Sequence, residues 1–459
     1  MRLRMSGHTS QSLTEGPVVR NLITFTIPLF LGQLLQQLYN VADAWVIGNF
    51  SNNDAFAAVS STGTIVFLII GFFAGLGTGG SVLISRYFGA HEEETLSKAI
   101  HTHFLVGIIA SVISTAAGLL LNKPLLMLLG TPNSVMPYAQ QYLGIFFAGV
   151  STSIMYNVSM AIMRAVGDSL HPLYYLIFSS FLNIGLDLLF VAHPSFRWGI
   201  VGAALATVLS QGVSAILCIR HLLRMPKELR LDFRKLKLYP DLMKRAIALG
   251  LPSGLQNAVI TIGNLTVQKN INSFGPFAMA GQGAYSKIEG FVFLPIMSLS
   301  LSVPTFISQN LGAQQYERAK KGAWFGVISA VVLAESIGIL FYLLAPTLIS
   351  FFVSEPESVR LGASYARVTS LFYCLLAFAH ATAGVMRGCG KAIVPMANML
   401  IFWCAVRIVY VTMILRFIPQ FQMIAWAYPL TWGLSDIVFA FFLFKSDWVH
   451  NFEKKGLSH

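Results

Sequence analysis

The chain has 459 residues, of which 55% are hydrophobic and only 11% are charged, and its mean hydropathy is +0.67. A soluble domain carries roughly 25% charged residues, so water is excluded as the solvent for most of this surface. The formal net charge is +12, which in a soluble protein would suggest nucleic-acid binding. Here most of the basic residues lie between long apolar stretches, and this pattern predicts an integral membrane protein.

Twelve apolar stretches are long enough to cross a bilayer, for which about 20 residues are needed. They form two sets of six: 21–46, 56–84, 99–121, 138–163, 171–192 and 198–219, then 246–268, 277–307, 322–344, 361–386, 393–415 and 423–444. The sequence therefore predicts an all-α fold of twelve transmembrane helices in two six-helix lobes. The predicted segments are a tail at 1–20, a lobe at 21–224, a basic linker at 225–240, a lobe at 241–446 and a tail at 447–459.

Lysine and arginine are unevenly distributed among the predicted loops. If the N-terminus is cytoplasmic, the cytoplasmic loops hold most of them, and the opposite loops hold only Lys123, Arg197, Lys269, Arg360 and Arg416. The positive-inside rule associates such an excess with the cytoplasm. We therefore expect a multi-pass protein of the plasma (inner) membrane with both termini and the linker in the cytoplasm. The linker is interpreted as a topology anchor rather than a nucleic-acid site, because it lacks interleaved aromatic residues.

The sequence contains an internal repeat. Residues 163–172 (MRAVGDSLHP) recur as residues 386–395 (MRGCGKAIVP), at an offset of 223 (386 − 163). The same offset relates three residues of the loop after the second helix to three in the loop after the eighth: Ser85, Gly89 and Ala90 to Ser308, Gly312 and Ala313. Because each copy has an even number of helices, both enter the membrane from the same side. We expect a pseudo-twofold axis along the membrane normal, with substrate bound between the lobes.

Two acidic residues lie within predicted membrane helices of the first copy, Asp43 and Asp187. An ionised carboxylate in hydrocarbon costs about 2.5 to 3.5 kcal/mol on insertion scales, so such residues are functional candidates. Asn183 lies four residues before Asp187 and shares its helix face. Two carboxylates at one poorly solvated site cannot both stay ionised without a compensating cation, so Asp43, Asn183 and Asp187 could hold H⁺ or Na⁺. The alternative is that the acids are structural partners of neighbouring Asn and Gln side chains.

The second copy lacks this acidic pair, because Asp43 corresponds to Thr266 and Asp187 to Tyr410. We expect a substrate cavity lined by polar residues of several helices: Gln36, Asn40, Gln256, Lys287, Glu289 and His380. Pairing between helices is the alternative for Lys287 and Glu289. Arg407 and Asp436 are the expected structural ion pair.

The repeated Met-Arg-x-x-Gly-x-x-x-x-Pro stretch, the Gly-Ala loops and the Asn-x-x-Asp-x-x-x-x-Gly run (Asn40, Asp43, Gly48) resemble the multidrug and toxic compound extrusion (MATE) family. The resemblance covers residues 16–445. It implies an antiporter that exports small cationic or amphipathic organic compounds, such as drugs or metabolites, in exchange for inward H⁺ or Na⁺. For one prokaryotic branch it also implies a cation site in the N-terminal lobe, whose matching positions here are Asp43, Asn157, Asn183, Asp187 and Thr207.

A lipid-linked oligosaccharide flippase of the same superfamily is the main alternative, although it would need a cationic cavity. Few cations lie within the predicted helices, essentially Lys287 and Arg407. A channel is disfavoured because no selectivity loop is repeated. An enzyme is not expected, since the sequence lacks HExxH, nucleophile-elbow and phosphate-loop motifs. We expect a monomer in the lipid bilayer, with no nucleic-acid partner and no cofactor apart from the coupling ion.

Overall fold

The structure, a computed structural model, describes residues 12–50, 53–128, 131–193 and 198–450; within these ranges the side chains of residues 44, 53–57, 60, 61, 64 and 128 are not described. The described chain is helical and contains no β-strand. Its helices are α1 (Val18–Phe50), α2 (Asn53–Gly89), α3 (Glu93–Leu128), α4 (Met136–Ala165), α5 (Leu170–Asp187), α6 (Gly199–Leu222), α7 (Pro240–Asn272), α8 (Pro276–Gly312), α9 (Tyr316–Ser350), α10 (Pro356–Ser370), α11 (Tyr373–Gly388), α12 (Ile393–Met399), α13 (Arg407–Phe417) and α14 (Phe421–Lys445). π-Helical segments follow α5 (Leu188–Ala192) and join α12 to α13 (Leu400–Val406).

The twelve predicted membrane spans are confirmed. Eleven described helical stretches are long and apolar enough to cross a bilayer, and α10 with α11 makes a twelfth span that is bent by 52°. The prediction of one continuous helix over 361–386 is wrong, because the helix is interrupted at 371–372. Glu335 on α9 accepts a hydrogen bond from the Cys374 backbone N–H (2.9 Å), one of the N–H groups that a helix start leaves without a partner.

The chain forms two compact units. The first unit contains Leu31–Gly250, and the second contains Leu13–Phe30 together with the described residues from Leu251 onward. The chain therefore changes unit inside α1 and inside α7, close to Pro28 and Pro252, which lie within these helices. Proline removes a backbone N–H and disrupts the helical hydrogen-bond ladder. The predicted lobes at 21–224 and 241–446 follow the sequence repeat, whereas the compact units divide at these prolines.

In the first unit, α4 packs against α2, α3 and α6. Close helix contact depends on glycine: a Cβ on Gly118 of α3 would collide with the ring of Phe147 on α4. The basic linker folds onto the same unit, since the His101 ring on α3 accepts a hydrogen bond from the Asp232 backbone N–H (3.0 Å). The linker also buries Leu231, which is 1% exposed, so it is a folded connector.

In the second unit, α8 packs against α9, α10 and α11. Gly281 on α8 and Gly362 on α10 face each other at the closest point. A Cβ on Gly281 would collide with the backbone carbonyl of Ser358, and a Cβ on Gly362 would lie 2.6 Å from the carbonyl oxygen of Gly281. Small residues allow membrane helices this approach.

We expect Gly281→Ala to lower the melting temperature of the purified protein, because overpacking a close contact costs about 1 to 3 kcal/mol. Gly283→Ala is the matched control on the same helix, since a Cβ there has no neighbour within 4 Å. That change should raise stability by up to about 1 kcal/mol, since alanine is the better helix former. Equal melting temperatures of the two variants in detergent would contradict the α8–α10 contact.

Candidate cation-coupling site

A small buried cluster joins the C-terminal part of α1, the end of the fifth span and α6; its members are Val46, Ile47, Val191 and Ala203. About one helical turn from this cluster, each of the three helices carries one predicted site residue: Asp43, Asp187 and Thr207. Apolar packing of the cluster therefore holds these three polar residues at a common level of the first unit.

The carboxyl groups of Asp43 and Asp187 lie close enough to interact directly with each other. Among the described residues, no other group donates a hydrogen bond to Oδ1 of Asp43 or to either carboxyl oxygen of Asp187. Asp187 is 1% exposed. Since buried carboxylates are normally paired or hydrogen-bonded, the two acids form a site that lacks any compensating protein cation in the described chain.

Asn183 lies one turn before Asp187 on α5 and is also 1% exposed. Neither its side-chain oxygen nor its side-chain nitrogen has a hydrogen-bond partner among the described residues. Directly after Asp187 the helix widens into the π-helical turn Leu188–Ala192, a local irregularity that occurs frequently at functional sites. The end of α5 therefore presents an amide and a carboxyl group, both buried, to the same region.

Two tyrosines that the sequence analysis missed belong to this site. The Tyr39 hydroxyl is in hydrogen-bonding contact with Thr207, and Tyr39 interacts electrostatically with both aspartates. Tyr142 on α4 also interacts with both, and it is 7% exposed. The signal for Tyr39 was present, because it lies four residues before Asp43 on the same helix face; no spacing pointed to Tyr142.

Asn157 is not joined to the aspartates. Its side-chain amide donates to the Ser153 carbonyl of its own helix (2.8 Å), and this is its one hydrogen bond among the described residues. Asn157 lies about 22 Å along α4 from Tyr142, the α4 residue that interacts with the acids. The structure thus brings Asp43, Asn183, Asp187 and Thr207 into one region and places Asn157 far from it.

The predicted Arg407–Asp436 ion pair is wrong. Arg407 is 1% exposed and donates to the Thr431 hydroxyl from Nε (3.2 Å) and Nη2 (2.9 Å), and to the Asn264 side chain (3.3 Å). Its guanidinium also lies 4.3 Å from the centre of the Tyr428 ring. Thr431 and Asp436 are five residues apart on α14 and so point in different directions.

Asp436 has no hydrogen-bond partner for either carboxyl oxygen among the described residues, and it is 8% exposed. It lies beside a cavity of about 490 Å³ in the second unit. The other residues that line this cavity are Val331, Cys374, Leu375, Phe378, Gly433, Ile437 and Ala440. The Asp436 carboxyl group therefore faces largely apolar residues rather than the cationic partner that a structural ion pair requires.

The remaining predicted cavity residues differ from one another in exposure and in their contacts. Tyr285 donates a hydrogen bond to Glu289 (2.5 Å), while Lys287, two residues earlier, is exposed. His380 is 8% exposed and packs against aromatic rings. Gln256 is 3% exposed and donates to the Met399 sulfur (2.8 Å). In the first unit, Gln36 is half-buried and Asn40 is exposed.

The MatE family model matches two stretches of the sequence, residues 28–189 and 252–413. The chain belongs to the MATE family. Each stretch ends within the predicted lobe that contains it, so the match also follows the internal repeat. Membership establishes a multi-pass membrane transporter rather than an enzyme, and it confirms the resemblance found in the sequence motifs.

Curated relatives of this MATE transporter match most of its length. The probable multidrug resistance protein YpnP of Bacillus subtilis (strain 168) is 31% identical over 400 residues, which cover 85% of this chain and 87% of the relative. An FAD transporter of Shewanella oneidensis is 26% identical over 368 residues, covering 79% and 80%. A crystal structure of MATE in the bent conformation has a TM-score of 0.89 at 21% identity, covering 98% and 99%. That likeness supports the twelve-helix MATE fold.

For this MATE transporter we expect Asp436→Asn to leave the melting temperature unchanged or higher, because the carboxyl group accepts no hydrogen bond. Arg407→Gln should lower it, since hydrogen bonds of a charged group contribute about 1.5 to 3 kcal/mol. If the two residues formed a buried ion pair, removing either partner would cost about 3 to 5 kcal/mol. Equal destabilisation by both changes, measured by thermal unfolding in detergent, would restore the ion pair.

Proposed function

We propose that this MATE transporter is a secondary active antiporter that exports small cationic or amphipathic organic compounds in exchange for inward H⁺ or Na⁺. The proposal rests on one observation, the contact between the Asp43 and Asp187 carboxyl groups without another hydrogen-bond donor. Two carboxylates at one poorly hydrated site repel each other, and a bound cation removes that repulsion. The pair is therefore the coupling site.

Asn183 and Asp187 also fit a sodium ion. Carboxylate and amide oxygens are hard ligands of the type that alkali and alkaline-earth cations prefer. Apart from the Asp43–Asp187 contact, the buried side-chain oxygens of both residues have no hydrogen-bond partner among the described residues. When bound, Na⁺ would be held by Asp43, Asn183 and Asp187 and would supply one positive charge. A proton shared between the two carboxyl groups would supply the same charge. Tyr39, in contact with Thr207, is close enough to both aspartates to interact with them electrostatically.

Coupling follows from a difference in free energy between conformations. A cation alters the equilibrium between two conformations only to the extent that it binds one of them better. The Asp43–Asp187 contact provides such a difference, because separating the two carboxyl groups would weaken the binding of a shared cation. Asn157, remote from this contact, is assigned no part in coupling.

For substrate we propose a site in the second unit that includes Gln256, Lys287, Glu289 and His380. Support for organic cations comes from Glu289, an acid held by Tyr285, and from the name of the Bacillus relative, a multidrug resistance protein. The Shewanella relative is named an FAD transporter, which makes an anionic dinucleotide the second substrate class to test. A pyrophosphate-binding flippase is disfavoured, because Arg407 is enclosed by Thr431, Asn264 and Tyr428.

We expect Asp43→Asn and Asp187→Asn each to reduce gradient-driven efflux by about 10- to 100-fold, within the range of typical coupling energies. The amide keeps the side-chain shape but cannot exchange a proton or balance Na⁺. The measurement is transport of ethidium, and separately of FAD, in proteoliposomes driven in turn by a pH gradient and by a Na⁺ gradient. Normal gradient-driven flux in either variant would refute the coupling assignment.

Two further variants make this experiment specific. Glu317→Gln is the matched control, because Glu317 is an exposed acid paired with Lys320 outside the site (79% side-chain exposure). It should transport normally. Glu289→Gln should keep gradient dependence while weakening equilibrium ethidium binding by about 1 to 3 kcal/mol, the range for one charge-assisted contact. Unchanged binding would assign Glu289 to its contact with Tyr285 alone.

We propose that the linker and both termini face the cytoplasm in the plasma membrane, supported by the excess of basic residues on that side. The test uses a variant without the native cysteines 218, 374, 389 and 404. Arg230→Cys in the linker should resist a membrane-impermeant maleimide added to intact cells, whereas Ser273→Cys, between α7 and α8, should react. Both positions are exposed, so labelling of Arg230→Cys alone would reverse the orientation.

A further inference from the structure

Three polar side chains converge in the first unit at the end opposite the coupling carboxyls. Asp168 lies between α4 and α5, His171 lies in the first turn of α5, and His221 lies in the last turn of α6. Asp168 Oδ2 is 2.8 Å from His171 Nδ1 and 3.2 Å from His221 Nε2. One nitrogen from each histidine and one carboxylate oxygen all lie within 4.8 Å of one another.

The three side chains are fixed in these orientations by further contacts. The His171 backbone N–H donates to Asp168 Oδ1 (3.2 Å), which orients the carboxylate. The Tyr175 hydroxyl is hydrogen-bonded to His221 Nδ1 (3.1 Å), so Nε2 of this imidazole faces the carboxylate. The two imidazole rings have centroids only 4.1 Å apart.

Exposure differs among the three in a way that suits a ligand site. Asp168 is 1% exposed, whereas the side chains of His171 and His221 are 28% and 16% exposed. The carboxylate is thus at the back of the cluster, and the imidazoles border its accessible side. Burial raises the pKa of Asp168, but the hydrogen bond of His221 and the nearby His171 lower it more, so the net direction is downward.

These residue types and distances match a transition-metal site. Two imidazoles and one carboxylate are a standard set for Zn²⁺, which binds four ligands tetrahedrally at about 2.0 to 2.2 Å, and this implies ligand atoms about 3.3 Å apart. The separations of 2.8 Å and 3.2 Å need only small adjustments. Three protein ligands leave a fourth coordination position for water or an external group. The Tyr175 hydrogen bond is of the type that orients a metal-bound histidine.

We propose that Asp168, His171 and His221 form a binding site for a divalent transition metal such as Zn²⁺, which clamps the start of α5 to the end of α6. A plain hydrogen-bond network is the competing explanation. Both histidines point at Oδ2, an oxygen that can accept two hydrogen bonds, so metal titration distinguishes the two explanations. Arg224, close enough to influence Tyr175, opposes a cation and limits the affinity.

The site is separate from the proposed coupling pair. Asp187 lies about 24 Å along α5 from His171, so the metal does not replace the coupling ion. Because α5 and α6 also carry Asp187 and Thr207 near their other ends, a metal at the Asp168 cluster stabilises the helix pair that holds the coupling site. Its presence is detected by binding and thermal stability, so the inference does not depend on transport activity.

The test uses the full-length protein, purified in detergent without a histidine tag and freed of metal with EDTA. Isothermal titration with ZnCl₂ should show one site. Tyr175→Phe removes a hydrogen bond to a metal-binding histidine, and such a loss weakens metal binding by roughly 10- to 100-fold. His171→Asn and His221→Asn each remove a ligand and should weaken binding by more than that. His450→Asn is the matched control: His450 and Asp447 form an exposed pair of the same sequence spacing (2.7 Å), and affinity should not change.

Co²⁺ offers a readout that needs no variant, because a tetrahedral site gives intense visible absorption bands that an adventitious octahedral ion does not. The expected result is such a spectrum at one equivalent, lost on addition of Zn²⁺, together with a higher melting temperature in the presence of Zn²⁺. Absence of saturable one-site binding, or equal Zn²⁺ affinity in the wild type, His171→Asn and His221→Asn, would overturn the proposal in favour of the hydrogen-bond network.

Discussion

The first unit holds two acidic side chains, Asp43 and Asp187, in contact within its membrane helices. Neither accepts a hydrogen bond from a cationic residue in the described chain, so the energetic cost of burying them is not offset by a described protein cation. Every neighbouring feature serves to hold this unfavourable contact. The apolar cluster of α1, α5 and α6 fixes the helices, the π-helical turn follows Asp187, and Tyr39 with Thr207 forms one side.

The second unit has the same helical repeat but lacks the acidic pair. Thr266 and Tyr410 stand at the positions equivalent to Asp43 and Asp187. One buried charge in this unit belongs to Arg407, whose guanidinium is surrounded by hydroxyl, amide and aromatic groups. Hydrogen bonds satisfy that cation without an acid in direct contact. The two copies therefore share a fold, while the second has replaced the Asp43 and Asp187 carboxyl groups at the equivalent positions.

Apolar length and charge asymmetry were sufficient to predict the spans, because a helix in lipid must satisfy its own backbone. The break at 371–372 was not predictable, since it depends on Glu335 of another helix accepting the Cys374 N–H. The prediction of an Arg407–Asp436 ion pair was wrong for the same reason. Both residues are buried charges, and only the direction in which each side chain leaves its helix shows that they point apart. The grouping of Asp43 with Asp187 was predictable, because two acids within the membrane spans of one copy are costly unless they share a cation.

Buried acids occur in both units, and they differ in the number of oxygen atoms that surround them. Asp187 has a second carboxyl group in contact and the side-chain oxygen of Asn183 one turn away, so several oxygen atoms can share one cation. Asp436 borders a cavity whose other residues, apart from the polarisable Cys374, are apolar, and none of the other described residues that line it has a side-chain oxygen. An isolated carboxyl group among such walls cannot coordinate Na⁺ with several ligands. Burial of an acid alone therefore does not identify a coupling site; the deciding property is the number of oxygen atoms that converge where the charge is buried.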